Sequence, residues 1–333
     1  MSDNPAPYSR IAVLGAGAWG TALALAAINA GRDVTLWARE ADVVDSIRTA
    51  RSNRFLPGVT LPPSLKVTGD LGQAANADAA LVAVPAQVLG KFAGLLAPHV
   101  KAGMPLAICA KGIEQPGGRL LHEVLAAAIP GAEIAMLSGP SFARDVAKGL
   151  PTAVTIAGKA DVAARLQASL SSLTFRPYAS DDVVGVALGG AAKNVYAIAC
   201  GVVEGMGLGE NARAALLARS FAELARLGEA QGARRETLMG LSGLGDLVLT
   251  ATSMSSRNFS AGVELGRGGQ PASLSTPEHP LAEGVATAPA LVARAHVLGV
   301  ELPVAEAMAD LLAGKLPLGE AVTRLMSRKL KTE

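Results

Sequence analysis

The chain has 333 residues, half of them hydrophobic, with 3% aromatic and 17% charged side chains. A core of that kind is filled mainly by Ala, Val and Leu, which favours packed helices and parallel strands over an aromatic-rich β-sandwich. The formal net charge of +2 gives no support for a nucleic-acid or membrane-surface protein, while a small anionic substrate needs only a few local cations.

The first ten residues are polar and contain prolines. They lack the basic-then-apolar order of a secretory signal, so a cytoplasmic location is expected. Short apolar runs follow at Ile11–Leu14, Val34–Trp37, Ala80–Val84, Leu106–Cys109, Ile134–Leu137 and Ala153–Ile156, with Thr174–Tyr178 as a last edge. Most lack period-two alternation, the mark of strands buried on both faces. Ala/Leu-rich helical stretches between them supply the crossovers that a parallel sheet requires. The pattern changes near Asp181–Asp182. Beyond it, helical periodicity runs through 191–204, 211–230, 284–298, 303–313 and 318–330, and Gly266–Pro280 reads as a loop. The expected division is an α/β domain over 1–185 and an all-α domain over 186–333.

Val183–Val203 is long and apolar enough to suggest a membrane span. Its glycines (Gly185, Gly189, Gly190 and Gly201) and the central charge of Lys193 favour a helix buried in the protein, with its lysine facing a cavity; no membrane insertion is expected. Cys109 and Cys200 lie in apolar runs without a C-x-x-C pair, which reads as free buried thiols in a reducing compartment. His99, His122, His279 and His296 are scattered, and no metal is expected.

Gly15-Ala16-Gly17-Ala18-Trp19-Gly20 is a G-x-G-x-x-G with a strand before it, an Ala-rich helix (Thr21–Ala30) after it and a second strand closing a βαβ unit. Gly15 permits the tight turn, Gly17 lets the backbone approach a pyrophosphate, and Gly20 allows close helix–sheet packing. The helix N-terminus offers N–H groups to the phosphates. The first domain is therefore expected to be a Rossmann-type doubly wound fold that binds a nicotinamide dinucleotide; the alternative is a packing turn with no ligand. At the end of the second strand, Arg39 is placed to meet the 2′-phosphate of NADPH, and Glu40 leaves NADH open. Alternatively, Arg39 is a solvated surface charge.

Two lysines stand out. Lys111 ends the Leu106–Cys109 strand, where α/β proteins bind ligands, although surface lysines are common at such ends. Lys193 sits amid an apolar helix, where a lysine is seldom buried without a partner or a purpose. Burial makes proton transfer practicable, and one lysine can serve as acid in reduction and as base in the reverse reaction. Snorkelling to the surface is the alternative. Asp246, in Ser242-Gly243-Leu244-Gly245-Asp246-Leu247, reads first as the cap of a following helix, and otherwise as an orienter of a lysine or a substrate hydroxyl. Ser256-Arg257-Asn258 reads as a polar loop whose arginine offers a fork to a phosphate.

As a set, these residues resemble the bacterial-type NAD(P)-dependent glycerol-3-phosphate dehydrogenase family. The matching stretches are Gly15–Ala24, Lys111–Glu114, Gly139-Pro140-Ser141-Phe142-Ala143, Lys193–Ala199, Gly209–Ala215, Gly240–Leu247 and Ser256–Asn258, in the family's order. The resemblance implies reduction of dihydroxyacetone phosphate to glycerol 3-phosphate, for phospholipid synthesis, by a homodimer. It implies Lys193 as proton acceptor and Lys111 as ligand of both substrate and cofactor. Gly139, Ser141, Asp246, Ser256, Arg257 and Asn258 are implied as substrate contacts. Ala18, Trp19, Arg39, Ala143, Arg257, Leu281 and Glu283 are implied as cofactor contacts, beside the loop glycines. Ala18 stands where many members carry Ser, and Leu281 where Val is expected. A ketopantoate- or β-hydroxyacid-type reductase shares the domain plan, and a non-catalytic NAD(P)H sensor would share the glycine loop.

Overall fold

A computed structural model describes residues 5–276 and 281–326. The first four residues of the polar start, His279 in the expected loop, and the end of the helix expected over 318–330 lie outside them.

The described residues form two compact units: 5–111 with 120–187, and 112–119 with those from 188 to 326. In the first, eight strands form one sheet: β1 (Arg10–Leu14), β2 (Asp33–Trp37), β3 (Lys66–Thr68), β4 (Ala79–Val82), β5 (Pro105–Ile108), β6 (Glu133–Ser138), β7 (Thr152–Ala157) and β8 (Phe175–Ser180), in the order β3-β2-β1-β4-β5-β6-β7-β8. Its helices are α1 (Ala18–Asn29), α2 (Ala41–Ala50), α3 (Leu71–Ala75), α4 (Leu89–Leu96), α5 (Leu121–Ala128), α6 (Ala143–Ala147) and α7 (Ala160–Leu170). The central strands are apolar throughout because helices cover both faces: every residue of β4 and β5 is buried. The order reverses between β1 and β4, the point at which doubly wound sheets bind ligands.

Two features depart from the expected sheet. β3 has only three residues, Lys66-Val67-Thr68, too short and too polar to register as an apolar run, and it is held at the edge by pairing with β2 and by a Lys66–Asp33 ion pair of 2.7 Å. β7 runs antiparallel to β6, not parallel. Only the short α6 separates the two strands, and it packs on α1. An antiparallel return needs no full crossover.

The second unit is helical: α8 (Val183–Gly205, begun in the first unit), α9 (Glu210–Ala230), α10 (Arg235–Met239), α11 (Asp246–Ala251), α12 (Arg257–Gly266), α13 (Glu283–Val297), α14 (Pro303–Leu312) and α15 (Leu318–Met326). α8 passes the length and hydropathy test for a membrane span, but 89% of its apolar window is buried, which makes it a core helix. Its small residues let α12 lie directly against its backbone. A Cβ built on Gly201 would sit 2.1 Å from the Phe259 carbonyl oxygen, and one on Gly262 would sit 2.1 Å from that of Ile198. The Gly205–Gly266 pair repeats the contact one turn on, with 2.3 and 2.4 Å approaches. Both cysteines are free and buried; burial pushes the Cys200 thiol up to about 12 and the Cys109 thiol higher still.

Candidate active site

In the first unit, the parallel strands β1, β4, β5 and β6 deliver their carboxyl ends to one side of the sheet. β1 runs into the glycine loop. Gly15 has φ +117°, and a Cβ there would lie 3.0 Å from the backbone of Ala83 and Val84. At Gly20 a Cβ would meet the Gly15 carbonyl oxygen at 1.9 Å, so both positions exclude a side chain. At Gly17 a Cβ would meet nothing within 4 Å. That open side is the room a pyrophosphate requires. Gly17 is also the N-cap of α1 and carries no capping side chain, so the first-turn N–H groups of Ala18, Trp19 and Gly20 are left to a ligand. The residues present fit a dinucleotide.

β5 runs into Lys111. Its Nζ donates to the Gly139 carbonyl at 2.9 Å, and Ser141 Oγ donates to the same oxygen at 2.9 Å. Trp19 Nε1 donates to the Cys109 carbonyl at 3.1 Å, which places the Lys111 ammonium 6.0 Å from the indole ring. Gly15, Gly17, Ala18, Trp19, Gly20, Lys111, Gly139, Ser141 and Ala143 are thus brought to one end of the sheet. Arg39 follows β2, whose carboxyl end lies beside that of β1, where the Gly15 N–H donates to the Trp37 carbonyl at 3.1 Å. It is exposed and lays its guanidinium on Glu40 Oε1, at 2.7 Å from Nη2.

In the second unit, Lys193 does not snorkel to the surface. It is 7% exposed; its Nζ donates to Asp246 Oδ1 at 2.9 Å and to Thr250 Oγ1 at 2.8 Å. Thr250 in turn donates to Asp246 Oδ1 at 3.2 Å. Asp246 is not the cap of a helix that starts after a loop. The preceding segment, Leu241–Gly245, is a π-helical turn that runs into α11 with Gly245 already helical. Asp246 therefore starts α11 with its carboxylate on the lysine.

Ser256-Arg257-Asn258 is likewise not a loop but the start of α12. Ser256 is the N-cap, accepting from the Phe259 N–H at 3.2 Å. Arg257 is the first helical residue and is exposed. Asn258 is buried; its Nδ2 donates to Asn194 Oδ1 at 2.9 Å, and its Oδ1 accepts from the Gly284 N–H at 2.9 Å. The Asn258 amide thereby joins α8, α12 and the start of α13, where Glu283 is the first residue and Leu281 lies exposed just upstream. Thr250 and Asn194 are residues that sequence reasoning missed. The i, i+4 spacing of Asp246 and Thr250 was the available signal for the first. Among the described residues, no group of three or more His, Cys, Asp or Glu could hold a metal ion.

Residues 10–164 match the family model described as NAD-dependent glycerol-3-phosphate dehydrogenase N-terminus, and residues 182–323 match its C-terminus counterpart. The chain belongs to the NAD-dependent glycerol-3-phosphate dehydrogenase family. Within that dehydrogenase family it is 55% identical, over 90% of its length and 91% of the relative's, to glycerol-3-phosphate dehydrogenase (NAD(P)+) of Parvibaculum lavamentivorans. It is 53% identical, over 97% of its length and 93% of the relative's, to the enzyme of that name from Rhodospirillum rubrum. The crystal structure of glycerol-3-phosphate dehydrogenase from Coxiella burnetii superposes with a TM-score of 0.91 at 38% identity, covering 96% of this chain and 99% of that one. A ketopantoate reductase from Ralstonia eutropha, at 16% identity and a TM-score of 0.59, shares the fold alone. A dehydrogenase of this family is an NAD(P)-dependent oxidoreductase, and its first unit here has the Rossmann-type plan.

Proposed function

We propose that this chain reduces dihydroxyacetone phosphate reversibly to sn-glycerol 3-phosphate, with NADH or NADPH as reductant. The observation that carries the reading is Lys193, a buried lysine held by an acid and a hydroxyl in a chain of this family. A nicotinamide held at the glycine loop would supply hydride to the substrate carbonyl carbon, and the alkoxide so formed would need a proton. Lys193 gives its ammonium proton to that oxygen and recovers one from solvent; in the reverse direction it takes the hydroxyl proton. Asp246 keeps the lysine oriented, and Thr250 fixes the Asp246 carboxylate. Lys111 supplies a second cation for substrate and cofactor, beside Gly139 and Ser141. Arg257, with Ser256 and Asn258, holds the substrate phosphate.

The dinucleotide is held by Gly15, Gly17, Ala18, Trp19 and Gly20, with Arg39 for a 2′-phosphate and with Ala143, Arg257, Leu281 and Glu283 as further contacts. We assign cofactor binding to 1–185 and substrate binding to 186–333. We infer a cytoplasmic homodimer supplying glycerol 3-phosphate for phospholipid synthesis. The test is a steady-state assay with dihydroxyacetone phosphate and each nicotinamide separately, set beside small keto acids. Turnover with dihydroxyacetone phosphate alone supports the reading. Turnover with keto acids, or with nothing, overturns it.

A further inference from the structure

The glycine loop is held from behind by a residue far from it in sequence. Asn53 follows Arg51, which ends α2 in a left-handed conformation at φ 50°, and it is 2% exposed. Both of its amide hydrogens and its oxygen are used. Nδ2 donates to the Ala16 carbonyl at 2.9 Å and to Thr21 Oγ1 at 2.8 Å, and Oδ1 accepts from the Phe55 N–H at 3.0 Å. The segment beyond is closed by the Leu61 N–H bonding the Arg51 carbonyl at 2.9 Å. Asn53 is thus itself held by a hydrogen-bonded turn.

The Ala16 carbonyl belongs to the peptide that joins Ala16 to Gly17. In a trans peptide the N–H points opposite to the C=O. A carbonyl drawn onto Asn53 therefore aims the Gly17 N–H away from Asn53, at a residue whose own Cβ position is open. A peptide beside glycine has little intrinsic preference between its two orientations, because glycine accepts either backbone conformation. Something else must choose.

We propose that Asn53 is a positioning residue for cofactor binding: it pins the Ala16–Gly17 peptide so that the Gly17 N–H faces the pyrophosphate of the dinucleotide. The proposal rests on the dinucleotide reading given above. The bond it protects is a backbone hydrogen bond to a charged group, so its loss weakens binding about tenfold or more.

Asn53→Asp keeps the shape, removes both donors and sets a carboxylate against the Ala16 carbonyl. Asn53→Ser, which shortens the side chain out of reach, serves if the aspartate variant does not fold. The measurements are KM for NADH and NADPH, kcat, KM for dihydroxyacetone phosphate, and the competitive inhibition constant of ADP-ribose, which carries the pyrophosphate without the nicotinamide. In a folded variant, both nicotinamide KM values and the ADP-ribose constant should rise together about tenfold or more. The NADH/NADPH ratio, kcat and the substrate KM should stay within about twofold. A merely structural role would lower kcat through loss of active enzyme and leave the ADP-ribose constant unchanged; that result, or wild-type constants in both variants, overturns the proposal. Failure of the underlying reading looks different: the wild-type protein itself would then bind no ADP-ribose.

Discussion

Gly201→Ala tests whether the contact between α8 and α12 sets the geometry of the candidate site. The added methyl would stand 2.1 Å from the Phe259 carbonyl oxygen and 2.9 Å from the Gly262 Cα, where ordinary contact begins near 3.4 Å. Both obstacles are backbone, so the two helices must part by roughly an ångström; overpacking of this kind costs about 1–3 kcal/mol. The same two helices carry Asn194 and Asn258, joined at 2.9 Å, and an ångström of separation breaks that bond. Lys193 precedes Asn194 on α8, and Arg257 precedes Asn258 on α12, so the proposed proton donor and the proposed phosphate anchor move apart. A displacement of that size costs on the order of 100-fold in rate. In a folded Gly201→Ala protein, kcat/KM for dihydroxyacetone phosphate should fall by about that factor. Thermal melting should show the loss of stability. Wild-type kcat/KM in a variant whose melting temperature has dropped would refute the argument, because the helices would then have parted without consequence for the site.

Three further outcomes are expected. Lys193→Met, which keeps length and removes the charge, should lower kcat by roughly two to four orders of magnitude, the usual contribution of general acid–base catalysis; near-normal kcat in folded protein rules out the role. Arg257→Ala should sharply lower kcat/KM for dihydroxyacetone phosphate and barely change the poor activity on phosphate-free dihydroxyacetone, with Arg257→Lys rescuing only partly; equal loss on both substrates removes the anchor assignment. Glu223 is buried between α8, α9 and α14, accepting from the Val304 N–H at 2.7 Å, the Ala305 N–H at 3.3 Å and the Tyr196 hydroxyl at 3.4 Å, and burial raises its pKa from 4.5 to about 7. Between those values the folded protein keeps a proton that the unfolded chain has lost, so this group's contribution to stability is full below pH 4.5 and falls by about 3 kcal/mol as pH rises to 7. Urea unfolding from pH 5 to 8 should show that Glu223→Gln has lost this slope; parallel pH profiles for the two proteins would contradict it.

What could be read from the sequence follows from what is local. β1, β4 and β5 are continuous apolar runs, and the glycine loop is a six-residue motif between two legible elements. β3 carries Lys66 and Thr68 at an edge and gives no such run. Periodicity also has no direction, so the reversal of β7 left no trace in it. The start of α12 read as a loop because Gly262 and Gly266 depress helix propensity. Their reason is the backbone of α8, which no window around residue 260 contains. Asp246 read as a cap because its glycine-rich approach looks like a turn, yet a Cβ on Gly243 would stand 1.9 Å from the Leu238 carbonyl oxygen, and the segment is a π-helical turn. Its partner Lys193 lies 53 positions away, and Asn53 lies 37 positions from the Ala16 carbonyl it holds. Such pairings arise only when the chain folds.

The distribution of aromatic side chains has a spectroscopic consequence. The two tryptophans of the chain, Trp19 and Trp37, both belong to the sheet-containing unit, one in the glycine loop and one at the end of β2. Intrinsic tryptophan emission is therefore a private signal of that unit, while far-ultraviolet circular dichroism reports the helices of both units. Denaturation followed by both signals sets the melting of the sheet-containing unit beside that of the whole chain. Coincident transitions would mean that the units melt as one cooperative body, and displaced transitions would give the stability of each without cutting the chain.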